Sequence, residues 1–256
     1  MTLDFSEHVV LVTGGTRGIG SSIAEHFIDA GATVVVCGRQ APDDPPRTAS
    51  GQAEFIAADV RDPGSVADLV RFIADRHERL DVVVNNAGGS PWSNAADASP
   101  RFHQKIIDLN LVAPLHVAQA ANAVMQTQDS GGTIVNVASV SGTRPSPGTA
   151  AYGAAKAGLL NLTQTLAVEW APKVRVNAVT VGLVRTADSH LHYGDEEGVE
   201  RVAATVPLGR MAEPADVAGA CLYLASPVSS YISGAALTVH GGGEWPSYLS
   251  AATTRD

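Results

Sequence analysis

At 256 residues with 45% hydrophobic content, the chain can bury a sizeable core as one large α/β domain or two small ones. A formal net charge of −9 argues against a nucleic-acid footprint or an anionic membrane surface as partner. The two cysteines, Cys37 and Cys221, match no disulfide framework or metal spacing, which favours a reducing compartment. The first residues, Met1 to Glu7, are polar and carry two acids, unlike a signal peptide. No apolar run approaches the roughly 20 residues of a membrane span. The expectation is a cytoplasmic protein.

In chain order, Val9-Val10-Leu11-Val12 is a short β-branched run leading into Thr13-Gly14-Gly15-Thr16-Arg17-Gly18-Ile19-Gly20. A helical pattern through Ile23, Ala24, Phe27 and Ile28 ends at Gly31, and Thr33 to Cys37 restores strand character. Strand, glycine turn, helix and strand make a βαβ unit. Its glycines admit close approach of a pyrophosphate, and the helix N-terminus offers N–H groups and a positive dipole end. The second strand ends at Gly38-Arg39 rather than at an acid. An acid there would favour NAD through the ribose hydroxyls, whereas Arg39, with Arg17 in the turn, suits the 2′-phosphate of NADP. Residues 42–52 read as a polar loop.

Alternation over Ala53 to Ala58 gives a third strand ending at Asp59-Val60, and an amphipathic helix is expected over Pro63 to His77. Asp81-Val82-Val83-Val84-Asn85-Asn86-Ala87-Gly88 is a fourth strand ending in a polar glycine turn, where ligands bind in doubly wound sheets. Trp92, in the loop to Ser99, reads as a pocket-edge or packing residue. One long helix is expected from about Pro100 to Gln126; Asn110 within it is a poor helix former. A role for Asn110 requires that it distort that helix and face the site.

Thr133 to Ala138 is an apolar strand that delivers Ser139 at its end. After a Gly- and Pro-containing loop, an Ala-rich helix carries Tyr152 and Lys156 on one face, one turn apart. A cation beside the phenol should lower the Tyr152 pKa towards neutrality and make it an acid/base. Val174 to Val181 is a sixth strand, residues 187–204 a polar lid, and Ala236 to Val239 a seventh strand. The pair His190 and His192 lacks further ligands at convincing spacing, so no metal site is expected. The fold class is α/β: one Rossmann-type, doubly wound parallel sheet of about seven strands with helices on both faces.

Together, Thr13-Gly14-x-x-x-Gly18-Ile19-Gly20, Asp59-Val60, Asn85-Asn86-Ala87-Gly88, Asn110, Ser139, Tyr152-x-x-x-Lys156 and Pro207-Leu208-Gly209-Arg210 resemble the short-chain dehydrogenase/reductase family over nearly the whole chain. The resemblance implies Tyr152 as proton donor or acceptor, Ser139 bonded to the substrate oxygen, Lys156 on the nicotinamide ribose and Asn110 holding a water of a proton relay. It implies Gly14, Thr16, Arg17, Gly18, Ile19 and Gly20 as cofactor-binding, and Asp59 and Val60 beside the adenine. Asn86, Ala87 and Gly88 would line the cofactor, with Val184 and Thr186 at the carboxamide. The expected activity is NADP(H)-dependent interconversion of a small-molecule ketone and a secondary alcohol. A 3-oxoacyl thioester reductase and a catalytically silent NADP-binding regulator are the alternatives. A homotetramer or homodimer is implied. Three features depart from the family pattern: Val181 where Pro is usual, His240 where Asp is common, and a tail over residues 244–256 containing Trp245 and Tyr248.

Overall fold

A computed structural model describes residues 3–187 and 189–247, without the side chains of Leu191 and His192. The chain begins with β1 (Val9–Thr13), α1 (Gly18–Asp29) and β2 (Thr33–Gly38). A small hairpin, β3 (Arg47–Thr48) with β4 (Gly51–Gln52), occupies part of the expected polar loop. Then come β5 (Glu54–Ala57), α2 (Pro63–His77) and β6 (Val82–Asn85). They are followed by α3 (Pro100–Ile107), a π-helical turn at Asp108–Val112, α4 (Ala113–Met125) and β7 (Gly132–Ser139). The remainder is α5 (Ala150–Glu169), β8 (Val174–Val181), α6 (His190–Tyr193), α7 (Glu196–Ala203), α8 (Pro214–Ala225) and β9 (Ala236–Val239).

Seven strands form one parallel sheet in the order β5-β2-β1-β6-β7-β8-β9. The order reverses direction between β1 and β6, the switch point at which such sheets bind ligands. Alternation along the strands sorts the core into two layers. Val10, Val12, Val34, Val36, Val84 and Val137 face α1 and α8, where Ile23, Phe27, Val217 and Leu224 meet them. Leu11, Val35, Val83 and Ile134 face the other way, onto Val66, Leu69 and Ile73 of α2 and Val117 and Met125 of α4. Because both faces are covered, the strands read as continuous apolar runs.

The expected single helix over Pro100 to Gln126 is interrupted by the π turn, and the expected lid over residues 187–204 contains α6 and α7. Among the described residues no helix is long and apolar enough to cross a membrane.

Polar side chains bind these layers together. The Asn85 amide donates to Asn136 Oδ1 (3.0 Å) and the Pro114 carbonyl (3.1 Å), and the Asn136 amide donates to Thr163 (2.9 Å). Arg175 on β8 donates to the carbonyls of Leu224, Ser229 and Ile232 and to Thr133 Oγ1, all at 3.0–3.1 Å. That guanidinium joins the sheet to the chain between α8 and β9. Arg175→Met leaves several half-buried acceptors without a donor, each costing roughly 1–3 kcal/mol. Partial relaxation brings the expected net loss to about 3 kcal/mol in chemical denaturation; a change within experimental error would contradict this role.

Candidate active site

The C-terminal ends of β1, β2, β6, β7 and β8 open into one cleft of about 730 Å³. It is lined by all of Gly14, Thr16, Arg17, Gly18, Ile19, Gly20, Arg39, Asp59, Val60, Asn86, Ala87, Gly88, Ser139, Tyr152, Lys156, Val184 and Thr186. Asn110 alone among the expected site residues is absent from the wall: it lies fully buried behind it.

The glycine turn is built for close approach. Gly14 has φ +60° and Gly18 φ +55°, the left-handed region that side chains disfavour. A Cβ on Gly20 would lie 2.3 Å from the Gly14 carbonyl oxygen and 2.5 Å from the Asn86 amide nitrogen. The α1 N-cap, Arg17, makes no side-chain capping bond, so no side-chain cap takes up the N–H groups of the first turn, which borders the cleft. Backbone cradle and helix terminus together fit a dinucleotide pyrophosphate.

Asn86 has a part the sequence reading missed. Its amide donates to the carbonyls of Thr13 (3.0 Å) and Gly14 (3.1 Å), while Thr13 Oγ1 accepts from the backbone N–H of Asn86 and Ala87. Asn86 therefore staples the end of β6 to the glycine turn and holds the switch point in register. Asp59, expected beside an adenine, forms a two-point pair with Arg61 at 2.9 and 2.6 Å. That guanidinium holds its carboxyl down to about 2. Arg61 lines the cleft with Arg17 and Arg39, and a third arginine was not foreseen. Its sequence signal was adjacency: an arginine two residues after the strand-end acid.

Asn110 distorts its helix as a site role requires. The π turn leaves room for its side chain, whose Nδ2 donates to the carbonyls of Ile106 and Gly89 (both 2.9 Å) while Oδ1 accepts from Gly89 N–H (2.8 Å). A Cβ on Gly88 would approach Asn110 Oδ1 to 2.7 Å and Lys156 Nζ to 3.3 Å. Glycine at 88 thus lets α5, the π turn and the β6 end share one small volume.

Lys156 is buried and donates to the Val137 carbonyl at 2.7 Å, fastening α5 to β7. Burial lowers its pKa to about 8. Its Nζ lies 5.6 Å from the centre of the Tyr152 ring. The expected lowering of the Tyr152 pKa is not what the geometry gives. Burial pushes that phenol upward, opposed by its hydrogen bond with Ser139. The physical reason is desolvation of the phenolate in the wall of the cleft, which outweighs the Ser139 hydrogen bond. Ser139 sits in register with Val181 at the end of the β7–β8 ladder, and its Oγ accepts from Ser141 N–H at 3.2 Å.

Other expected features resolve variously. Val184 forms a bridge with Ala212, and Thr186 N–H donates to the buried Ser189 hydroxyl at 2.8 Å. Val181 continues β8 where proline would be unable to donate. Trp92 does not line the cleft; it packs over Gly148, where an added Cβ would lie 1.9 Å from the indole nitrogen. His190 is exposed and bonded to the Ala187 carbonyl, the His192 side chain lies outside the described residues, and so does Tyr248.

The Lys156 titration has a consequence for stability. With a folded pKa near 8 against an ordinary 10.5, the unfolded chain binds more protons between those values. Stability therefore rises with pH across that window. Relative to Lys156→Met, the native chain is expected to gain about 3 kcal/mol between pH 8 and 10.5. Thermal melts of the two proteins read the gap; a pH-independent gap would contradict the burial of a titrating amine.

The family model for enoyl-(acyl carrier protein) reductases matches residues 14–244. A 3α-hydroxysteroid dehydrogenase of Mediterraneibacter gnavus is 35% identical over 253 residues, covering 94% of this chain and 98% of that protein. The human dehydrogenase/reductase SDR family member 4 is 36% identical over 241 residues, covering 91% and 86%. The solved structure of Thermoplasma acidophilum aldohexose dehydrogenase superposes with a TM-score of 0.86 at 29% identity over 98% of both chains. With this match of sequence, sheet order and site, the chain belongs to the short-chain dehydrogenase/reductase family, whose members are NAD(P)-using oxidoreductases acting on alcohol and carbonyl groups.

Proposed function

We propose that the protein is an NADP(H)-dependent oxidoreductase that interconverts a small-molecule ketone and a secondary alcohol, with Tyr152 as general acid/base. The observation that carries this reading is the meeting of Ser139, Tyr152 and Lys156 at one end of the glycine-turn cleft, with Asn110 directly behind Gly88.

The glycine turn and the α1 N-terminus hold the pyrophosphate, Val60 borders the adenine, and Val184 and Thr186 reach the carboxamide. When bound, the nicotinamide supplies or accepts the hydride. This chain's residues do the rest. The Tyr152 hydroxyl gives its proton to the carbonyl oxygen during reduction and recovers it in the reverse direction. Ser139 donates a hydrogen bond to the same oxygen and fixes its position. Lys156 holds the nicotinamide ribose hydroxyls and so orients the bound nucleotide beside the phenol. Asn110 keeps the π turn open and so keeps a path for protons between Lys156 and solvent. The segment over residues 187–204, whose Tyr193 lines the cleft, covers the substrate. The subunits form a homotetramer or homodimer.

Preference for the phosphorylated cofactor rests on Arg17 and Arg39. Asp59 would repel a 2′-phosphate, but its charge is already matched by Arg61. Charge-assisted hydrogen bonds are worth about 1.5–3 kcal/mol each, so kcat/KM is expected to favour NADPH over NADH by at least tenfold. Arg39→Ala should shrink that ratio chiefly through KM for NADPH; a native preference for NADH contradicts the assignment.

Tyr152→Phe removes the proton source while keeping the ring. Turnover of a ketone panel is expected to fall by at least a thousandfold with NADPH affinity retained, in the upper range for general acid/base groups. Undiminished turnover would overturn the mechanism.

A further inference from the structure

A second bay of about 250 Å³ adjoins the cleft, sharing Gly182 with it. Three distant segments wall it: Val140 and Arg144 after Ser139, Leu183 after β8, and His240 and Glu244 after β9. Across it, Arg144 Nη2 donates to Glu244 Oε1 in an ion pair whose side chains are both 38% exposed. Tyr193, which lines the main cleft, lies close enough to feel both charges: Glu244 raises its pKa and Arg144 lowers it, each less than burial does. Gly182 stands in both walls and Val140 follows Ser139 directly, so the bay lies beside the Ser139 end of the cleft.

The two charged partners are not held alike. Arg144 stands on a tight turn, with its backbone N–H bonded to the Val140 carbonyl and its Nη1 to the Pro145 carbonyl. Glu244 follows Gly241, Gly242 and Gly243, whose φ values are +62°, +96° and +89°. The strap itself is tied down, Leu208 N–H donating to the Gly241 carbonyl (3.1 Å) and Gly243 N–H to the His240 carbonyl (3.0 Å), and a pair so exposed contributes little to stability. The guanidinium keeps a second partner in the Pro145 carbonyl, so the side chain that can leave the pair is the Glu244 carboxylate. A guanidinium fork matches carboxylate geometry at two points.

We infer that this bay is the substrate's tail subsite and that it takes a carboxylate, Arg144 binding the anion after Glu244 swings away, so that the substrate is an oxo acid or the corresponding hydroxy acid. This inference rests on the reductase reading of the neighbouring cleft. Glu244 is the internal counter-ion that keeps Arg144 paired between turnovers.

The test uses methyl ketones ending in a carboxylate, from 4-oxopentanoate upward, against their neutral methyl esters, with NADPH. The best acid is expected to exceed its ester in kcat/KM, by about ten- to a hundredfold as a charge-assisted contact allows. Arg144→Gln should collapse that ratio, and Glu244→Gln should raise it by lowering KM for the acid. Binding is read separately, without turnover. In a Trp92→Phe/Trp170→Phe background, emission from Trp245, next to Glu244 in sequence, should change saturably with the acid and not with the ester. The change should vanish in Arg144→Gln. Turnover of both series at a ratio near one, or a ratio that Arg144→Gln leaves unmoved, overturns the subsite. So does a Trp245 response that is absent or independent of Arg144. The Trp245 response without any turnover supports the subsite and contradicts the reductase reading.

Discussion

A buried ammonium with a single bonded carbonyl is the constraint on which the site depends. Lys156 reaches Val137 from one turn beyond Tyr152, and that bond sets how α5 lies against the last residues of β7. Since Ser139 is two residues further along β7, the same bond sets the Ser139–Tyr152 contact. An apolar residue at 156 would pack more cheaply, because burial of a charged amine is costly unless it is compensated. Keeping lysine there trades stability for a charge placed next to a phenol, a pattern expected where pKa values serve function.

The volume around that ammonium is shared by three elements, and each concedes something. The β6 end contributes Gly88, whose missing side chain leaves room for both Lys156 and Asn110. The helix after Ile107 widens into a π turn. Asn110 then spends its whole amide on Gly89 and Ile106, repaying the disturbed helical bonds and bracing the loop after β6. On the other side of the switch point, three hydrogen bonds from Asn86 and one from Ala87 N–H tie the end of β6 to Thr13 and Gly14. The glycine-turn end of the cleft and the end that carries Ser139, Tyr152 and Lys156 are thus held by the same short segment.

Much of this was legible in the sequence, for identifiable reasons. The five inner strands are buried on both faces, so each appears as an apolar run; helix α2 shows its stripe and a proline at its first position, and its expected ends coincide with those observed. The cleft's expected lining also converges, because strand C-termini in one parallel sheet all open on one edge. What escaped was tertiary. The π turn depends on Asn110 finding a backbone partner, Gly89, that lies outside its helix. The upward shift of Tyr152 follows from burial, which spacing does not reveal. Residues 47–52 and 190–203 read as polar loop and lid but fold into a two-residue-per-strand hairpin and two short helices, elements too short for periodicity to register. The Arg144–Glu244 pair joins residues a hundred positions apart, and no local pattern announces it.

The titration of Lys156 itself tests the account most directly. With lysine side chains labelled with ¹³C and ¹⁵N, and Lys156 assigned by its replacement, NMR follows the Nζ environment of the native protein across pH. The expected midpoint is about 8. A midpoint at the ordinary value near 10.5 would mean that the amine is solvated, and the buried-charge basis for the site would fall with it.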